Sequence, residues 1–62
     1  MKHKDFVRHL ADNGCVLQKE AGKYSIFENQ ATKVTTPVSR HKEIPDFAAK
    51  KICKKLGIPE PQ

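Results

Sequence analysis

The strongest constraint on the fold of this chain is the helical repeat in residues 45–56. Pro45 fits a first helical turn, and Asp46 complements the positive end of the helix macrodipole. Gly57 is expected to end the helix in the left-handed conformation, with Ile58 folded back on the last turn. The apolar side chains recur at helical spacing and form one stripe: Ala48, Ala49, Ile52, Cys53 and Leu56. The segment predicts an amphipathic helix whose stripe the rest of the chain must cover.

The residues before this helix predict another helix and three strands. Residues 4–12 place Phe6, Val7, Leu10 and Ala11 on one helical stripe, which ends at Asn13-Gly14. Segments rich in β-branched and aromatic residues predict strands at 15–20, 22–29 and 33–38. The order predicts an α+β fold of α-β-β-β-α type, similar to double-stranded-RNA-binding domains. We expect one domain over residues 1–62, with two helices on one face of a three-stranded antiparallel sheet and a tail at residues 59–62.

The predicted middle strand, residues 22–29, carries the first candidate for a reactive side chain. It is predicted to begin after a turn at Glu20-Ala21-Gly22, and side chains then alternate between the two faces of the sheet. If Phe27 faces the core, Tyr24 and Ile26 face the open side. A strand tyrosine can simply suit the sheet surface. In a basic chain it can also meet a phosphodiester. Pro37 cannot donate to a ladder, so the third strand is predicted either to lie at an edge or to end there.

The charge of the chain points to an anionic partner. Twelve Lys and Arg residues oppose seven Asp and Glu residues, for a net charge of +5, and most of the excess lies in residues 33–62. One face of the second helix carries four lysines without a glutamate partner at helical spacing. Such a face can serve solubility alone or hold a phosphate backbone. These lysines are Lys50, Lys51, Lys54 and Lys55, and a second basic group, Arg40, His41 and Lys42, precedes the helix.

Other classes of site find no support in the sequence. Cys15 and Cys53 lack metal-type spacing and are predicted to be buried free thiols in a reducing cytosol. No metal site is predicted, and no organic cofactor is expected. No apolar run reaches membrane length, so we expect a soluble, cytoplasmic protein without a membrane partner. A chain of 62 residues leaves no room for a deep pocket, which favours a site on the surface.

Several motifs resemble the HicA family of toxin–antitoxin systems nearly from end to end. The specific motifs are Arg40-His41-Lys42-Glu43-Ile44 and the run from Lys51 to Ile58. A third motif, Gly22 two residues before Tyr24 and Phe27 three residues after it, is short and would be weak alone. The resemblance implies a type II toxin that is a metal-independent endoribonuclease acting on mRNA and is neutralised by a HicB antitoxin. It also implies a double-stranded-RNA-binding-domain-like fold.

The resemblance fails at two positions. In the family, the residue two after the glycine is normally histidine, the acid–base group, and here it is Tyr24; Ser39 stands where proline usually precedes Arg-His. RNA self-cleavage needs a base for the 2′-hydroxyl and an acid for the leaving 5′-oxygen. A free tyrosine, with a pKa of about 10, is roughly one part in a thousand phenolate at pH 7. It is therefore a poor base, although it can still donate a proton.

Three outcomes stay open for catalysis. Tyr24 acts as the acid with His41 as the base, or the enzyme is much weakened, or the chain binds RNA and antitoxin without turnover. A pure interaction protein, whose basic face docks an acidic antitoxin, is a further alternative. The predicted catalytic residues are Tyr24 and His41, and the predicted RNA contacts are Lys23, Arg40, Lys42, Lys50, Lys51, Lys54 and Lys55. We expect Tyr24 and the helix lysines to lie on one RNA-binding surface.

Overall fold

The computed structural model describes residues 1–61 and contains two helices and one sheet. Its elements are α1 (His3–Asp12), β1 (Cys15–Ala21), β2 (Tyr24–Asn29), β3 (Thr35–Ser39) and α2 (Asp46–Leu56). The sheet is antiparallel in the order β1-β2-β3, so β2 is central and Pro37 lies on an edge strand. The predicted α-β-β-β-α fold is confirmed.

One face of the sheet packs against both helices, because β2 and β3 alternate as predicted. Ser25 and Phe27 on β2 and Val38 on β3 are buried, whereas Tyr24 is half exposed on the opposite face. The predicted stripe of α1 is only partly correct, since Phe6 and Leu10 are buried but Ala11 is exposed. The core consists of Phe6, Leu10, Cys15, Phe27, Val38, Ile44, Ala49, Cys53 and Leu56.

The C-terminus of α2 forms the predicted Schellman motif. Gly57 adopts φ +74°, its N–H donates to the Lys54 carbonyl at 3.2 Å, and the Ile58 N–H donates to the Cys53 carbonyl at 3.0 Å. Ile58 packs against the core, which supplies the hydrophobic contact of this motif. The predicted tail follows; its Pro59 carbonyl lies 2.7 Å from the His9 Nε2 atom, and its last residue, Gln62, lies outside the described residues.

The third strand begins two residues later than predicted. Lys33 adopts φ +66°, a left-handed conformation that a strand cannot contain, and its N–H donates to the Asn29 carbonyl at 2.7 Å. Lys33 therefore completes the turn after β2, and the ladder starts at Thr35.

Both cysteines are buried free thiols, as predicted. Burial raises the pKa of the Cys15 thiol above its ordinary value. Burial also raises the pKa of Cys53, with smaller contributions from Cys15 and Glu60. Both thiols are therefore protonated at neutral pH, which suits a packing role.

Candidate functional site

The β1–β2 hairpin brings two separate stretches of the chain to one end of the sheet. Ala21 pairs with Tyr24, which pairs in turn with Ser39 on β3. The turn therefore consists of Gly22 and Lys23, and not of Glu20-Ala21-Gly22 as predicted, because β1 continues through Ala21. Gly22 adopts φ +61°, which glycine tolerates without steric cost. This register places residues 22–24 beside residues 39–41.

Tyr24 lies on the open face of the sheet at this end. Its relative exposure is 50%, and Ser25, the next residue, is buried on the helix side. Since side chains alternate along a strand, the phenol and the helices lie on opposite sides of the sheet. The predicted orientation of Tyr24 is confirmed, and the ring is open to a ligand from solvent.

Arg40 connects the end of β3 to the hairpin turn. Its backbone N–H donates to the Lys23 carbonyl at 3.3 Å, and its Nη1 donates to the Gly22 carbonyl at 3.3 Å. Its Nη2 lies 3.7 Å from a Glu20 carboxylate oxygen, and both side chains are about half exposed. An exposed pair of this kind adds little to stability. The contact with Glu20 orients the Arg40 guanidinium and leaves some of its N–H groups free to donate to a ligand.

Three predicted site residues share one shallow depression at this end. Lys23, Arg40 and His41 line it together with Gly22, and its volume is about 350 Å³. The His41 backbone N–H donates to the Ser39 hydroxyl at 3.3 Å, which anchors the loop next to the strand partner of Tyr24. The structure therefore brings an imidazole and two cations into one depression, at the end of the sheet where Tyr24 lies on the open face, although Tyr24 itself does not line that depression.

The lysines of α2 are not part of this assembly. Ala49, Cys53 and Leu56 are buried beneath the sheet, so Lys50, Lys51, Lys54 and Lys55 point into solvent on the far side of the helix layer. Tyr24 faces the other side of the sheet. The expectation that Tyr24 and these lysines form one surface is therefore wrong, because periodicity identifies the solvent face of a helix but not the side of the sheet that it covers.

The remaining predicted contact, Lys42, lines a second depression that also contains Arg40. Sequence reasoning missed two features of these surfaces. Glu20 was not connected with Arg40, because they are twenty residues apart and meet only through the hairpin. Phe47, on the solvent side of α2, is 67% exposed. Phe47 lies three and four residues before Lys50 and Lys51, so helical spacing alone predicts that it shares a face with these lysines.

A comparison with known protein families gives a match over the part of the chain that contains all of these helices and strands. A family model described as the HicA toxin of bacterial toxin–antitoxin systems matches residues 3–58. The chain belongs to the HicA toxin family. The match spans every helix and strand, from the first residue of α1 to the residue that closes the Schellman motif. No curated protein and no solved structure gave a significant match.

Membership of the HicA family assigns the chain the toxin role in a toxin–antitoxin pair. Within residues 1–61 of this HicA chain, no three His, Cys, Asp or Glu side chains are grouped so that they could share a metal ion. A search of the same residues found no helix long and apolar enough to cross a membrane.

Proposed function

We propose that this HicA-family chain is an endoribonuclease that cleaves mRNA and is neutralised by a HicB-type antitoxin. The observation that supports the proposal most is the register of the sheet, which pairs Tyr24 with Ser39 and so brings the start of β2 to the same end of the sheet as the loop that carries Arg40 and His41. Proton-transfer groups and phosphate-binding cations at one solvent-accessible end are what cleavage of a phosphodiester requires.

In this proposal RNA is held through its phosphates. Lys23 and Arg40 line the depression next to Tyr24, and Arg40 presents a planar guanidinium suited to a phosphate group. The site is shallow and open, so a flexible polymer can enter it from the side. Binding of this kind depends on salt and is tolerant of sequence.

The proposed reaction is internal transesterification. His41 takes the proton of the ribose 2′-hydroxyl, and the 2′-oxygen attacks the adjacent phosphorus. The bond from phosphorus to the 5′-oxygen breaks, and the Tyr24 phenol gives that oxygen its proton. The products are a 2′,3′-cyclic phosphate and a 5′-hydroxyl, and Arg40 or Lys23 stabilises the charge that develops on the phosphate oxygens.

We expect the His41→Ala variant to lose most cleavage activity, by about 100-fold or more, because it removes the proposed base. The measurement is the rate of cleavage of a labelled structured RNA by purified protein. The side chain of His41 is exposed, so its removal should not change the fold.

The control for this variant is His9→Gln. His9 lies on α1 and its ring contacts the Pro59 carbonyl, away from the proposed site. Its replacement should leave the cleavage rate unchanged. Full activity in His41→Ala would remove His41 from the mechanism, whereas equal losses in both variants would show a general effect on folding.

The proposed protein partner is a HicB-type antitoxin. Family membership implies an antitoxin in general, and the net charge of +5 favours an acidic surface on that partner. The four α2 lysines remain predicted RNA contacts, but as a surface separate from Tyr24. Duplex RNA, which is recognised by shape and phosphates, is the ligand that would suit such a surface.

A second candidate function is RNA and antitoxin binding without turnover. It is favoured by Tyr24 itself, because a phenol stands where the resemblance to the family calls for histidine. Salt-sensitive RNA binding by the native protein, with no cut products at any protein concentration, would support this candidate over the nuclease.

A further inference from the structure

A second basic depression lies next to the proposed active site. Its volume is about 400 Å³, and it shares Arg40 with the depression that contains Lys23 and His41. Because Arg40 lines both, the two depressions are neighbours, and both are lined by basic side chains. The second depression is lined by Lys2, His3, Lys4, Arg40, Lys42 and Glu43.

Long-range backbone pairing builds this depression. The His3 N–H donates to the Lys42 carbonyl at 2.8 Å, and the Ile44 N–H donates to the Met1 carbonyl at 2.7 Å. Lys2 and Glu43 form an isolated antiparallel bridge between these bonds. Residues 1–3 and 42–44 are thereby fixed side by side. Basic side chains from the start of the sequence and from the loop before α2 thus surround one space.

The electrostatics of the depression favour an anion. Four basic side chains, Lys2, Lys4, Arg40 and Lys42, surround it, and among the described residues Glu43 is the one carboxylate in the lining.

An unpaired nitrogen provides a second, independent indication of a ligand. The Nε2 atom of His3 is buried and lacks a hydrogen-bond partner within residues 1–61. A buried polar atom without a partner is costly. His3 lines the depression, and its shielded Nε2 atom would gain a partner from an anion there after a rotation of the imidazole ring.

We propose that this depression holds one backbone phosphate of the RNA, next to but not at the bond that is cut. The inference rests on the proposed function, since the RNA strand reaches this point across Arg40. An acidic side chain of a protein partner is the competing occupant. The RNA phosphate is favoured because Arg40 lines both this depression and the one that contains Lys23 and His41.

The site should contribute to affinity and not to the chemical step. Log affinity for a single strand falls as log salt concentration rises, and each phosphate contact makes this slope steeper by about 0.7. At 0.1 M salt, one such contact corresponds to about a fivefold gain in affinity. The Lys2→Gln/Lys4→Gln variant should therefore bind RNA about fivefold more weakly at that salt concentration, with a slope smaller by about 0.7. Glu43→Gln should bind more tightly, because it removes the opposing charge.

The experiment uses the native chain and a single-stranded 2′-O-methyl RNA decamer, which cannot be cleaved because its nucleophile is blocked. Fluorescence anisotropy gives the affinity at several salt concentrations, and amide NMR shifts locate the contact. The control is Lys19→Gln/Lys33→Gln, which removes two charges from positions that line neither depression. We expect saturable shifts at His3 and Lys4 in the native and control proteins, and not in Lys2→Gln/Lys4→Gln.

Each other outcome overturns the inference in a recognisable way. Shifts at Lys23 and Arg40 with none at residues 2–4 would leave the proposed function intact and defeat the second site. Equal losses in the lysine pair and the control would indicate diffuse attraction. Shifts at residues 2–4 with a polyglutamate peptide but not with RNA would assign the depression to an acidic protein. No shifts anywhere with RNA would defeat both proposals.

Discussion

Replacing Tyr24 with histidine is expected to raise the rate of RNA cleavage by about 100-fold, the lower end of what acid–base catalysis contributes. In the proposed step the residue at this position is the acid, and a phenol, with an ordinary pKa of about 10, is a weaker acid than an imidazolium. An imidazole exchanges protons readily near neutral pH. Since Tyr24 is half exposed on the open face, the change should not disturb the core. The measurement is the single-turnover cleavage rate of a labelled RNA.

The matched control at this position is Tyr24→Asn. Like histidine, asparagine carries a polar nitrogen at the δ position, but its amide cannot transfer protons at neutral pH. It should be no faster than the native protein. A Tyr24→His variant that cleaves no faster than native would move the chemistry away from this end of β2. A gain in both variants would show that loss of the phenol, and not proton transfer, is responsible.

Replacing Asn29 with alanine is expected to destabilise the fold by about 2–3 kcal/mol. Asn29 is 5% exposed at the far end of β2. Its Nδ2 donates to the Leu56 carbonyl at 2.7 Å in the buried interior, and its Oδ1 accepts from the Ala31 N–H at 2.9 Å. The substitution leaves both partners unsatisfied. For a domain of this size, the melting temperature should fall by about 10–20 °C.

Thermal unfolding followed by circular dichroism tests this prediction. The control is Gln30→Ala, since Gln30 is the exposed neighbour in the same turn. Its melting temperature should stay within a few degrees of native. If the Asn29→Ala protein were as stable as the control, the side chain would not connect the sheet to the end of α2 as described.

The local features of the fold could be predicted from sequence because neighbouring residues determine them. Gly57 and Ile58 encode the end of α2, and the alternation of Ser25 and Phe27 encodes the buried face of β2. The predicted start of β3 at residue 33 was wrong, because nothing in a β-branched run indicates that Lys33 takes a left-handed conformation.

The arrangement of the site could be predicted only in part. The sequence placed Tyr24 correctly on the open face, and the grouping of Arg40 with His41 follows from their adjacency. The separation of Tyr24 from the α2 lysines could not be seen, because it depends on how the layers stack. The pairing of Lys2 with Glu43 was equally hidden, since two residues forty-one positions apart leave no periodic signal.

In the proposed function, RNA is cut at the end of β2 by the Tyr24 phenol and the groups at that end of the sheet. The most direct measurement incubates the native and Tyr24→Phe proteins with a structured mRNA in EDTA and analyses the ends of the fragments. Tyr24→Phe keeps the ring and removes only the proton donor. We predict 2′,3′-cyclic phosphate and 5′-hydroxyl ends with the native protein and a much lower yield with Tyr24→Phe. Equal yields from the two proteins, or cutting that EDTA abolishes, would contradict the account.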